Sequence, residues 1–154
     1  MQELPLHPAL VHVPLGIAVL LPLLAGALCV ALWREILPKR SWLIVLMVAA
    51  VGLVSALAAR STGETEEQRV EEWVARRSIH QHEEAADSFT IALALTTLAT
   101  AGAFVIKRPR LFKAATLIIT IAYLVVLGLA LRVGHLGGEL VFRHNAGSGR
   151  APSQ

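Results

Sequence analysis

The chain has 154 residues, 55% of them hydrophobic and only 16% charged, with 14 Lys and Arg, 11 Asp and Glu, 6 His and a formal net charge of +3. So apolar a composition agrees with a membrane protein, and the positive charge sits mainly in two short loops rather than on a nucleic-acid surface. The single cysteine excludes a disulfide within the chain, and without a Cys-x-x-Cys-His motif the usual covalent c-type haem attachment is excluded as well.

Four apolar stretches follow in chain order. From Pro8 to Trp33 the only ionisable side chains are His12 and Cys29, and the stretches 41–59, 88–106 and 114–131 carry no charged residue. About 20 apolar residues in a helix cross the hydrocarbon core, and a backbone inside lipid must satisfy its own hydrogen bonds. The chain is therefore expected to be all-α, a four-helix transmembrane bundle forming one domain over 1–144. Its spans fall at about 10–33, 42–60, 86–106 and 114–133, and the polar tail 145–154 is expected to fray. The first span is expected to be retained, because Met1 to His7 lacks the basic start of a signal peptide and the apolar run is too long for one. Pro8 or Pro14 opens its regular helix, and either choice leaves His12 at the mouth of the bundle. Cys29, inside the span, is expected to pack as a small hydrophobe.

Basic residues set the expected orientation. Arg34, Lys39 and Arg40 lie in the first linker, and Lys107, Arg108, Arg110 and Lys113 in the third. Short basic loops stay in the cytoplasm, so both termini are expected outside a bacterial inner membrane, periplasmic or extracellular.

The long second linker is acidic on balance. Thr62 is placed to cap a short extracytoplasmic helix from Glu64 to Val74, with acids in its first turn and a thin stripe of Val70, Trp73 and Val74. Ser78-Ile79-His80-Gln81 then fits a capping box, which would start the third helix near Ile79. His80, Glu84 and Asp87 would share one face, with His82 and Glu83 pointing elsewhere. After the fourth span, Arg132 and His135 are three apart, and Gly134, Gly137 and Gly138 are expected to loosen the helix and permit close backbone approach.

This topology gathers His7, His12, His80, His82, His135 and His144 at one end of the bundle. The first and third helices sit across its diagonal, so His12 and His82 (or His80) could bind a haem b iron from opposite sides, with His135 as a substitute and Arg132 near a propionate. The alternative is a non-haem zinc, copper or iron held by His12, Glu67, His82, Glu83 and His135. A bland reading competes throughout, since a single interfacial histidine is more often a headgroup or capping residue, and His7 and His144 fit that description. Two histidines at i, i+2 cannot both face one metal. Gly-rich nucleotide loops and nucleophile elbows are absent, so no group is poised for hydrolysis.

The run His7-Pro8-Ala9-Leu10-Val11-His12-Val13-Pro14 resembles the opening His-Pro-x-x-Val-His-Phe-Pro signature of a bacterial membrane family catalogued as domain of unknown function 2231. The resemblance continues at Thr62-Gly63 with Glu66-Glu67 and at His82-Glu83. It returns in the stretch Gly134-His135-Leu136-Gly137-Gly138-Glu139-Leu140-Val141-Phe142-Arg143-His144. The ending departs from it, with Asn145-Ala146-Gly147 where members tend to have Gly-Val-Gly. The resemblance implies four spans and marks His7, His12, Gly63, Glu67, His82, Glu83 and the Gly-Gly-Glu-Leu-Val segment. It also implies company with redox partners, including Rieske-type domains and cytochromes. The expected function is a membrane redox subunit, a b-type cytochrome exchanging electrons with a periplasmic carrier and a membrane donor such as a quinol. A cofactor-free accessory subunit, in a homo-oligomer or a larger complex, is the third reading.

Overall fold

The computed structural model describes residues 10–70 and 76–144, with side chains over 10–62 and 76–142. Four helices make up most of it: α1 (His12–Trp33), α2 (Leu43–Val70), α3 (Arg76–Gly102) and α4 (Pro109–His144). Short 3-10 turns at Lys39–Trp42 and Ala103–Val105 open α2 and close α3. All four helices are long and apolar enough to cross a membrane. α1 packs beside α2 and α4, and α3 packs beside the same two, which leaves α1 and α3 across the diagonal.

Each helix buries one narrow stripe. On α1 it runs through Pro14, Ala18, Leu21, Ala25, Leu28 and Leu32. On α4 it runs through Phe112, Thr116, Ile119, Tyr123, Val126 and Ala130. The opposite faces are apolar too, with Leu23, Met47, Val54, Leu98 and Ile118 exposed. A bundle in water would carry charge there; one in lipid has no need of it. Small residues bring the helices close. At Gly52 a Cβ would fall 2.7 Å from Cγ2 of Ile17, so α1 and α2 could not meet this way with any other residue at that position.

The core also holds hydroxyls. Thr97 and Thr100 donate back to carbonyls one turn earlier, at 2.7 and 2.8 Å. The Tyr123 hydroxyl lies 2.8 Å from Thr100 Oγ1, tying α4 to α3. Cys29 is buried as a small apolar residue, its Sγ 3.5 Å from Thr116 Oγ1.

The two short connections are pinned to each other. α1 ends with the N–H of Glu35 donating to Leu32 O and that of Ile36 to Ala31 O, a Schellman closure. Glu35 takes the left-handed position usual for glycine, at φ 60. Lys113 faces it, its Nζ 3.0 Å from Glu35 Oε1. Lys39 donates to the carbonyls of Phe104 and Ile106, both at 2.8 Å, and lies over the Phe112 ring. Trp42, fully buried beside this end, has no partner for its indole N–H among the described residues.

Three local expectations are corrected. The segment 64–70 is helical, but it continues α2 instead of forming a separate helix. Thr62 is not a cap: its hydroxyl donates back to Ala59 O at 2.8 Å, as Ser61 does to Ala58 O. Gly63 by itself costs a helix only about 1 kcal/mol, and no proline follows to stop it. Trp73 and Val74 lie outside the described residues. Ser78 lies inside α3, which is already helical at Arg76, so the capping box does not form. Finally, α4 stays helical through Gly134, Gly137 and Gly138 rather than loosening there. The first helix accommodates Pro14 in its opening turn, where no N–H is needed, and so includes His12 instead of starting after it.

Candidate functional site

The site is sought where the histidines lie, at the end of the bundle away from the two short connections. α1 and α4 run antiparallel, with Cys29 beside Thr116, Gly26 beside Thr120 and Leu15 beside Gly134. Extended one more turn, this alignment brings His12 level with Gly137 and Gly138. α3 reaches the same level through His82, which lies against Gly137.

His82 is the described histidine that turns inward. It shares a helical stripe with Ile79, Ala85 and Phe89, all buried, and is itself half-buried. A Cβ on Gly137 would sit 3.2 Å from its Cε1, so the absent side chain is what makes room for the ring. Its Nδ1 is enclosed by protein. Gly138, next along α4, has nothing within 4 Å of where its Cβ would be.

The other sequence-selected residues share the level but not the face. His80 is 71% exposed, with Nε2 3.3 Å from Glu84 Oε1 and Nδ1 3.8 Å from Glu83 Oε2. Asp87, two turns on along the same face, pairs with Arg60 of α2 at 3.1 Å. His135 is 74% exposed and 3.9 Å from Glu139, one turn on. Arg132 is exposed on the same outer side of α4. His12 is exposed as well, about half a turn round α1 from the stripe begun by Pro14 and Ala18. Glu67 and Gly63 belong to α2 and His144 ends α4, but their side chains lie outside the described residues, as does the whole of His7. Among the described residues no three His, Cys, Asp or Glu side chains gather where one metal ion could bind them.

Two features escaped the sequence reading. One is Gly137 as the seat of His82, foreshadowed by the glycine run. The other is the Arg60–Asp87 pair between α2 and α3. Its half-exposed setting limits it to about 1 kcal/mol or less.

A family model described as predicted membrane protein (DUF2231) matches residues 3–150. No curated protein and no solved structure matches the chain.

Proposed function

From a chain that belongs to the DUF2231 family of predicted membrane proteins, we propose a redox subunit of the bacterial cytoplasmic membrane, a b-type cytochrome with its haem at the histidine end. The observation that supports this reading is the seating of His82, an imidazole turned into the bundle against a glycine and level with His12 of the diagonal helix. A haem needs one or two protein donors, whereas a bare transition metal needs three or four. A haem therefore asks for fewer donors than the alternative, a zinc, copper or iron site drawn from His12, Glu67, His82, Glu83 and His135.

The residues fit a haem most directly on the α3 side. His82 would hold the iron there, its ring seated against Gly137. His12 is the preferred second donor, with His135 and His80 as substitutes. The opening turn of α1, which carries His12, has no side-chain cap, and its Leu15 N–H donates to Val11 O at 3.4 Å. Arg132, exposed at this level, suits a propionate. When bound, the haem supplies one-electron chemistry. The chain would orient it and shield it from lipid and water, with a partner of cytochrome or Rieske type exchanging the electron. The basic connections support a cytoplasmic position for that end and an outside position for both termini and the histidines.

The test is a reduced-minus-oxidised spectrum of detergent-purified protein expressed with ample haem, with pyridine haemochrome and metal analysis on the same sample. His82→Ala and His12→Ala are each expected to lose the reduced α-band while remaining folded. A full haem spectrum in both variants would overturn the assignment. A second reading, a cofactor-free accessory subunit, draws support from the exposure of His12, His80, His135 and Arg132 and from Phe142, 87% exposed on the projecting end of α4. Wild-type behaviour of the histidine variants, with loss of complex assembly on changing Trp73 or Glu139, would put that reading first.

A further inference from the structure

The opposite end of the molecule carries a cleft that the redox reading does not use. It lies between the two short connections, with a volume of about 450 Å³. Leu32, Ile36, Leu37, Ile106 and Phe112 form its apolar walls, and Lys39, Lys107 and Lys113 also line it. Two of these lysines are occupied, Lys39 by the Phe104 and Ile106 carbonyls and Lys113 by Glu35 and the Trp33 carbonyl. The remaining cations are not. Arg34, Arg40, Lys107, Arg108 and Arg110 are exposed, and none forms an ion pair among the described residues. Glu35 is the only acid in either connection, and Lys113 already neutralises it.

We propose that this cleft binds an anionic phospholipid, with the phosphate at Lys107 and Arg108 and an acyl chain along Ile36 and Leu37. A free anion would answer the charge but leave the apolar walls without a ligand. A neutral lipid would do the reverse. Only an amphiphile carrying negative charge matches both. The surroundings agree, since Trp33, Val105 and Leu111 are exposed beside the cleft, where the apolar spans give way to the basic connections. Basic pockets between helices at this level take phosphate headgroups, each nearby Lys or Arg strengthening binding roughly five-fold.

The experiment is native mass spectrometry of the delipidated full chain in detergent. It would be titrated in turn with phosphatidylglycerol, phosphatidylcholine of the same chain length, and phosphatidylglycerol plus excess inorganic phosphate. Phosphatidylglycerol is expected to bind roughly twenty-five-fold more tightly than phosphatidylcholine, about five-fold for each of the two cations. The K107Q/R108Q pair should erase that preference without lowering the lipid-free melting temperature, because neither side chain touches the core. His135→Ala, at the other end, should leave it intact. Ile36→Ser should weaken phosphatidylglycerol while preserving any phosphate binding. Equal affinity for the two lipids, or an unchanged preference in K107Q/R108Q, would overturn the proposal. Full displacement of the lipid by phosphate would reduce the cleft to an anion site and overturn it as well.

Discussion

At the scale of single residues, two positions decide the most. Gly137 is where α4 makes room for the His82 ring, and a Cβ there would press on Cε1 at 3.2 Å. Gly137→Ala should therefore move the imidazole a few tenths of an ångström, and Gly137→Leu should expel it. Under the haem reading the α-band shifts or weakens in the first variant and vanishes in the second, while helical circular dichroism holds in both. Retention of an unaltered band in Gly137→Leu would separate His82 from the cofactor. Tyr123 is the second position. Its hydroxyl meets Thr100 inside lipid, and Tyr123→Phe should cost about 0.5–1.5 kcal/mol in a reversible detergent-unfolding titration. The inward phase of His82 was legible in principle, because it stands seven residues before Phe89 and eleven before Leu93, on one helical stripe. The faces of His12 and His135 were less so. Both lie at the ends of apolar runs, where no alternation of polar and apolar residues marks which side is in.

At the scale of elements, the spans could be read from charge-free runs because lipid permits little else. Their lengths could not. α2 runs to Val70 and α4 to His144, well past the charge-free runs that end at Ala59 and Leu131, because nothing in either continuation breaks a helix strongly enough. Thr62 illustrates the difficulty, since a cap and a back-bonded threonine have the same local sequence. Removal of a true cap costs about 1 kcal/mol; Thr62→Val, in a continuous α2, should change stability by less than about 0.5 kcal/mol. A loss near 1 kcal/mol in thermal unfolding would restore a helix boundary there. Lys39 should behave in the opposite way. Its ammonium satisfies two carbonyls at the end of α3, and Lys39→Met should destabilise the bundle by about 2–3 kcal/mol, as expected for lost bonds to a charged donor. An unchanged melting temperature would show that the connections are held by packing alone.

At the scale of the whole molecule, unbalanced positive charge sits at one end. The basic connections carry seven Lys and Arg against Glu35 alone, whereas at the other end Glu83, Glu84, Asp87 and Glu139 are matched by Arg60, Arg76, Arg77 and Arg132. That asymmetry is the ground for the proposed orientation, and labelling tests it. Cys29 is buried within a span and should stay silent, so cysteines introduced at Pro38 and Gln81 report separately. In intact cells stripped of any outer membrane, an impermeant maleimide is expected to reach Gln81→Cys and miss Pro38→Cys. The reverse pattern would invert the topology and place the histidine end in the cytoplasm.

The length of α4 has its own consequence. Its 36 residues make a rod of about 54 Å, against a hydrocarbon layer of about 30 Å. A continuous helix neither stretches nor slackens, so the rod works as a gauge block. Under the proposed orientation, its surplus length, less what tilt absorbs, bounds how far the Gly137 level stands from the hydrocarbon. For a partner that must bring its own centre within reach, that bound belongs to the fold, as the span of a flexible tether would not.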